Sequence, residues 1–510
     1  MLSQKGRNGL YNGHQSSVNF FGSSKRPVLA MFSRTEYCFM KRLSIAPAFA
    51  PDTASLSWLL MLCTTYKYES LKVVNKSNFS INQTFLHTMD ATTKINIPES
   101  PHERIVIVGG GFGGLQLARK LSRDDYQVVL IDKNNYHQFQ PLFYQVAMAG
   151  LEPSSIVFPF RKLFQGKKNI YIRVTEVVSV EPDKKTVQTP LGFCNYDHLI
   201  IATGADTNYF GNENIEKHAL PMKSVAEALY LRNNILDDYE DALTTPDYEP
   251  RQELVDIVIV GGGPTGVELA GSLAEMKKHV LPKDYPELNI EEEVDIYLVQ
   301  AGGCVLKGFS DDSSAKALRY LEELGVKVLL NSRVTDFDGH HVLLKDGSSI
   351  PAQKVIWAAG VKGSPVPGLP ETSITYGNRL AVDRFHRVKE TEDVYAIGDV
   401  AYMEEPGWQK GHPQVAQVAI QNGANLARNF RNRIREKDLI PFAYNDKGSM
   451  ATVGRGRAVV DIPKPKFQFG GFLAWLLWLV VHLFAILGTR NKLFVFINCN
   501  GPLQIGSKSS

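Results

Sequence analysis

Two glycine clusters carry the first legible chemistry of this chain. Gly109, Gly111 and Gly114 stand in a GxGxxG frame, with Gly113 inside it, and Gly261, Gly263 and Gly266 repeat the frame about 150 residues later. Glycines at this spacing allow a tight turn, let backbone amides approach a pyrophosphate, and bring a helix close onto a strand. The helix N-terminus adds partial positive charge where the phosphates would sit. In the first copy Asp132 follows about twenty residues on, placed to accept hydrogen bonds from a ribose 2′-hydroxyl. In the second copy the strand ends instead at Gln300, a neutral amide that repels the 2′-phosphate of NADPH less than a carboxylate does.

The segments around these clusters must position them. RIVIVGGGFGGLQLARKL reads as a buried strand, a glycine turn and a helix, followed by a second strand ending at Asp132; VDIVIVGGGPTGVELAGSLAEM and VDIYLVQ repeat that opening. Three further apolar runs end in small residues or an acid: YDHLIIATGA, KVIWAAG and DVYAIGDVA. They contribute Thr203, Gly204, Ala359, Gly360, Gly398 and Asp399 as cofactor-binding candidates. Asp399, in a Gly-Asp pair at a strand end, can meet the ribityl hydroxyls of a flavin. Two dinucleotide sites in one chain are explained most simply by a tightly held FAD in one and a diffusible NADH, or NADPH, in the other, with electrons relayed through the flavin.

The expected fold is therefore α/β, with two Rossmann-like dinucleotide-binding domains and a C-terminal membrane-docking helical segment. Residues 101–220 and 357–440 are assigned to the FAD unit, 221–356 to the NAD(P)H unit and 441–510 to membrane association. Residues 1–100 form a leader, either a transit peptide or an over-extended start, with Met89 as an alternative beginning.

Composition narrows the partners. The 510 residues are 44% hydrophobic, enough for two or three globular cores, and 56 basic against 53 acidic residues give a formal charge of +3 that does not point to nucleic acid. Five cysteines (Cys38, Cys63, Cys194, Cys304 and Cys499) form no CxxC or CxxxxC pair, which argues against a disulfide framework, a metal cluster and thiol redox chemistry.

Taken together, GGGFGG, QPLFYQVA from Gln140, GGGPTGVELAG, AAG, AIGD and AQVAIQ resemble the type II NADH dehydrogenases, the non-proton-pumping NADH:quinone oxidoreductases. The resemblance covers about residues 104–500; AQVAIQ and the C-terminal segment make it specific, since the glycine motifs are shared with disulfide and ferredoxin reductases. It implies hydride transfer from NADH to FAD and then two electrons to a quinone, ubiquinone or menaquinone, in a respiratory chain. It implies catalytic roles for Glu268, near the nicotinamide and flavin rings, and for Gln417 and Gln421 of the family's AQxxxQ quinone motif, which begins at Ala416. Lys447, in YNDKGSMATVGR, is implied near the quinone entrance, and a homodimer is common in the family.

The run Gly470 to Gly488 is at the lower limit for a bilayer span, and Trp475, Trp478 and His482 fall on one helical face, as expected for a helix lying in the membrane interface. Arg455, Arg457, Lys464, Lys466, Arg490 and Lys492 flank it and can meet anionic headgroups. The expected location is the cytoplasmic face of a bacterial inner membrane, or the mitochondrial inner membrane if the leader is a transit peptide. The competing readings are a sulfide:quinone or ferredoxin-type reductase and a nicotinamide-sensing flavoprotein.

Overall fold

A computed structural model of the chain describes residues 93–500, with side chains to Asn498. The leader as far as residue 92, including Met89, lies outside the described residues, as do residues 501–510.

The first motif folds as β1 (Arg104–Val108), α1 (Phe112–Leu121) and β2 (Gln127–Asp132), then α2 (Phe143–Ala147), β3 (Ile170–Val174), β4 (His198–Ile201) and the short β5 (Ala205–Thr207). The second gives β6 (Ile257–Val260), α3 (Pro264–His279), β7 (Ile296–Val299), β8 (Lys327–Leu329), β9 (Lys354–Trp357) and the short β10 (Val361–Gly363). The chain then returns through β11 (Val394–Ala396) to the long α4 (Ala416–Ile434). It ends in β12 (Ser449–Thr452), β13 (Ala458–Pro463), β14 (Lys466–Gly470), α5 (Phe472–Ala485) and α6 (Thr489–Asn500).

The first sheet has the order β11-β4-β1-β2-β3 and the second β8-β7-β6-β9, and every pairing within both is parallel. Parallel sheets are covered on both faces, which is why β6, and β1 after Arg104, are unbroken runs of Ile and Val with no polar alternation and every residue buried. Each such side chain contributes about 1.5–3 kcal/mol on leaving water. Pro264 opens α3 at a position where its missing N–H costs nothing, and Lys277, Lys278 and His279 close it against the negative end of the helix dipole.

β12, β13 and β14 form an antiparallel sheet. It shares one core with α2, α3 and α5, in which Val146, Leu269, Val453 and Trp478 are buried together. The C-terminal segment is thus built into the second nucleotide unit and is not an appended tail.

Candidate active site

Both glycine turns leave their first strand in the same way. Gly109 has φ +103° and Gly261 φ +117°, a left-handed conformation that side chains rarely adopt, and a Cβ there would stand 2.3 Å from Ala202 O and 2.5 Å from Ala358 O respectively. Gly114 and Gly266 let α1 and α3 press back on the turns, since a Cβ would lie 2.0 Å from Gly109 O and 1.9 Å from Gly261 O. Gly111 and Gly263, at the two helix N-caps, have nothing within 4 Å of where a Cβ would stand. Each turn therefore presents backbone at a helix N-terminus to open space, the shape that a dinucleotide pyrophosphate fits.

The second-strand residues close the cradles. Asp132 accepts from the Gly110 amide at 2.6 Å and the Asn134 amide at 2.7 Å; burial raises its carboxyl, and these two N–H groups counter the rise. Gln300 directly follows β7, and its Oε1 accepts from the Gly262 amide at 2.9 Å. The side chain expected to face the ribose in each unit is anchored to the middle glycine.

The segments ATG and AAG lead from the fourth strand of each unit into β5 and β10, which pair antiparallel from Ala205↔Gly363 to Thr207↔Val361. Thr203 Oγ1 donates to Ser364 O at 2.6 Å, the Ser364 amide donates to Gly204 O at 3.2 Å, and the Asn208 amide donates to Gly360 O at 3.1 Å. Ala359, one residue on from Ala358, has its Cα 2.7 Å from where a Gly261 Cβ would stand. The carboxyl edges of the two sheets are thereby joined at the level of their cradles.

Asp399 sits in a single turn after β11, with the Gly398 amide donating to Asn422 Oδ1 of α4 at 3.1 Å. Burial raises its carboxyl, opposed by Lys223 and Arg379. Ala416 starts α4, which crosses α1 closely: a Cβ on Gly423 would lie 2.4 Å from Gly113 O. This crossing fixes the first two turns of α4 against the first cradle.

Gln417 and Gln421 lie on one face of α4, as their spacing predicts, and both amides hold backbone. Gln417 donates to Gly448 O at 3.0 Å and accepts from the Lys447 amide at 3.2 Å. Gln421 donates to Asn445 O at 2.9 Å and accepts from the Asn445 amide at 3.0 Å. The pair clamps residues 445–448 and so presents Lys447, whose exposed side chain stands in a turn capped by Asp446 on the Gly448 amide.

Glu268, near the start of α3, is buried, and burial pushes its carboxyl up to about 8. The Thr452 amide donates to its Oε1 at 3.4 Å and partly opposes the rise, as does the facing Trp478 indole, whose N–H reaches no partner at hydrogen-bond length. Tyr144 and Thr452, which sequence reasoning did not single out as site residues, belong to this group: Tyr144 Oη meets Thr452 Oγ1 at 3.0 Å. Tyr144 lies inside the QPLFYQVA stretch; no local signal marked Thr452, which reaches Glu268 only through the packing of β12 on α3.

The C-terminal run turns inward the face expected to meet the membrane. Its helix, α5, is 14 residues long, and among the described residues no helix is long and apolar enough to cross a membrane. Trp475 and Trp478 point into the core, and His482 stacks on Trp478 with ring centroids 4.2 Å apart and its Nδ1 2.7 Å from Trp478 O. The outward face is Phe472, Leu473, Leu476, Val480, Val481 and Phe484, continued by Leu493, Phe494, Phe496 and Ile497 of α6. Helix α6 was not predicted, although its apolar residues at 493, 494, 496 and 497 carry the helical period. Cys194 is buried, Cys304 is exposed, and both are free.

Two phosphate cradles joined edge to edge define a two-dinucleotide oxidoreductase. Residues 103–423 match the pyridine nucleotide-disulphide oxidoreductase family and residues 447–500 the NDH2 C-terminal domain. The type II NADH:quinone oxidoreductase Ndh of Mycobacterium tuberculosis is 35% identical over 419 residues, covering 78% of this chain and 87% of that protein. The internal alternative NAD(P)H-ubiquinone oxidoreductase A1, mitochondrial, of Arabidopsis thaliana is 28% identical, covering 78% and 84%. The solved structure of NDH2 from Plasmodium falciparum in complex with NADH superimposes with a TM-score of 0.72 at 24% identity, covering 78% of this chain and 97% of that one. The chain belongs to the type II NADH:quinone oxidoreductases.

Proposed function

We propose that this protein oxidises NADH with FAD and reduces a quinone at a membrane surface, without pumping protons. The observation that carries the reading is the β5–β10 ribbon, which joins the carboxyl edges of the two sheets beside both glycine turns. FAD supplies, when bound, a ring that takes two electrons from a nicotinamide and passes them on. Gly109, Gly111, Gly113, Gly114, Asp132, Thr203, Gly204, Gly398, Asp399 and Ala416 are assigned to hold it, with residues 101–220 and 357–440 as its unit. Gly261, Gly263, Gly266 and Gln300 in residues 221–356, with Ala359 and Gly360 just beyond them, are assigned to NADH, with NADPH the weaker substrate.

The protein's own part is positioning and proton handling. Glu268, carrying a proton near neutrality, stands in the first turns of α3, the helix that opens at the second glycine turn. Gln417 and Gln421 hold the 445–448 turn, so that Lys447 lies at the quinone entrance. The apolar face of α5 and α6, flanked by Arg490 and Lys492, docks residues 441–510 on anionic lipid. The surface concerned is the cytoplasmic face of a bacterial inner membrane, or the mitochondrial inner membrane where the leader directs import; the family resemblance supports a homodimer.

Liposomes containing quinone and the FAD-loaded protein test this. One quinol should appear per NADH, with no pH gradient across the bilayer beyond uptake on the enzyme's side. NADH consumption indifferent to quinone would refute it.

A further inference from the structure

We infer that Thr452 and Tyr144 form a two-hydroxyl relay through which Glu268 receives its proton from a cavity beside the C-terminal helices. This rests on the reading above, in which Glu268 handles a proton.

The need follows from the balance of the reaction. NADH, one proton and a quinone give NAD⁺ and a quinol: the hydride brings both electrons and one hydrogen nucleus, so one proton per turnover must enter from solvent. Glu268 is buried, and its helix neighbours Val267 and Leu269 belong to the apolar core, so bulk water has no open path to it.

The structure offers one built route among the described residues. Thr452 touches Glu268 with its amide, at 3.4 Å, and Tyr144 with its hydroxyl, at 3.0 Å. Gln145 Nε2 donates to Tyr144 Oη at 3.1 Å, and Gln145 is half-buried. Tyr144, Gln145 and Thr452 line a cavity of about 60 Å³ together with Ser272, Glu275 and Arg455. That volume admits about two waters. Glu268, Ser272 and Glu275, four and three residues apart, share one face of α3, so a polar stripe runs from the buried acid to the cavity rim. At the rim Glu275 accepts from the Arg455 amide, and Arg455 is exposed.

Each hydroxyl can take a proton on one side and release its own on the other, so a proton passes from cavity water to Tyr144 Oη, to Thr452 Oγ1 and on to Glu268, and no group is left charged. One bridging water carries the proton across the last gap, from Thr452 Oγ1 to the Glu268 carboxyl. The other ionisable groups near this path are Glu275 on the same helix, Arg455 in the turn before β13, and His482, which stacks on Trp478 of α5.

Tyr144→Phe keeps the ring and removes the hydroxyl, Thr452→Val keeps the shape and removes Oγ1, and Met148→Leu in the same cavity is the packing control. In the FAD-loaded protein, either hydroxyl deletion should slow quinol formation about a hundredfold, the low end of what one proton-transfer partner contributes. The solvent isotope effect should rise, and the double variant should be no slower than the singles. Deuterium exchange of the protonated Glu268 carboxyl, followed as the infrared band absent from Glu268→Gln, should slow in both variants and not in Met148→Leu. Unchanged exchange and an unchanged isotope effect in Tyr144→Phe would overturn the relay, even where the parent protein reduces quinone as proposed. A parent protein that fails to reduce quinone would instead defeat the reading beneath it.

Discussion

Gln300 occupies in the second cradle the place that Asp132 holds in the first: each accepts the amide of the middle glycine, Gly262 at 2.9 Å and Gly110 at 2.6 Å. The hydrogen bond needs only an acceptor, so charge at this position is free to serve selectivity. Gln300→Glu retains the bond and places a carboxylate against any 2′-phosphate. The ratio of kcat/KM for NADH over NADPH should rise at least about tenfold, about 1.4 kcal/mol of repulsion. Initial rates with the two nucleotides measure it; an unchanged ratio would show that residue 300 does not face the ribose.

Glu268 sets a pH dependence. Its carboxyl is raised from the usual 4.5 to about 8, so it is protonated at neutrality and ionises as pH rises through about 8. Quinol formation should fall above that pH, and Glu268→Gln should flatten the profile at a low rate. The sign for stability is the same: between the two values the folded state holds a proton that the unfolded state has lost, so folding weakens as pH rises. The loss is up to about 1.4 kcal/mol per pH unit relative to Glu268→Gln, readable in urea melts from pH 5 to 8.

Gln421 holds Asn445 by two hydrogen bonds to backbone. Gln421→Ala should cost about 1–3 kcal/mol of stability. It should raise the KM for quinone more than that for NADH, because the turn carrying Lys447 is released. Gln421→Glu, which keeps the acceptor and loses the donor, should fall between parent and alanine variant in both thermal melting and quinone KM.

The two faces of α5 separate docking from folding. Replacing Phe472, Leu473 and Phe484, all exposed, with serine should abolish sedimentation with anionic vesicles and leave the melting temperature nearly unchanged. Trp478→Ala should do the reverse, with a loss of about 3–5 kcal/mol from the core. Vesicle binding that survives the triple serine variant would place the docking surface elsewhere.

Much of this architecture was readable from local pattern. β6, and β1 after Arg104, appear as unbroken Ile and Val runs, and the first and last glycines of each frame mark turns whose close contacts admit no side chain, so these strands and their cradles needed no long-range information. The joining of the cradles was not readable, because β5 and β10 are three residues each and pair across more than a hundred residues of chain. The glutamine pair was read correctly as one helical face, yet its partners are backbone atoms of 445–448, which no side-chain motif announces. Trp475 and Trp478 show the limit of periodicity: it groups residues on a face and does not say which side is water, lipid or core. Thr452 was invisible because its neighbours Glu268 and Tyr144 arrive from α3 and α2.

Rapid mixing of the FAD-loaded protein first with NADH and then with a short-chain quinone measures the central claim, that one chain passes electrons from a nicotinamide through a held flavin to a quinone. The flavin absorbance should bleach at least as fast as steady-state turnover and return at a rate that rises with quinone. A flavin that bleaches and stays bleached in excess quinone, or that never bleaches with NADH, would contradict it.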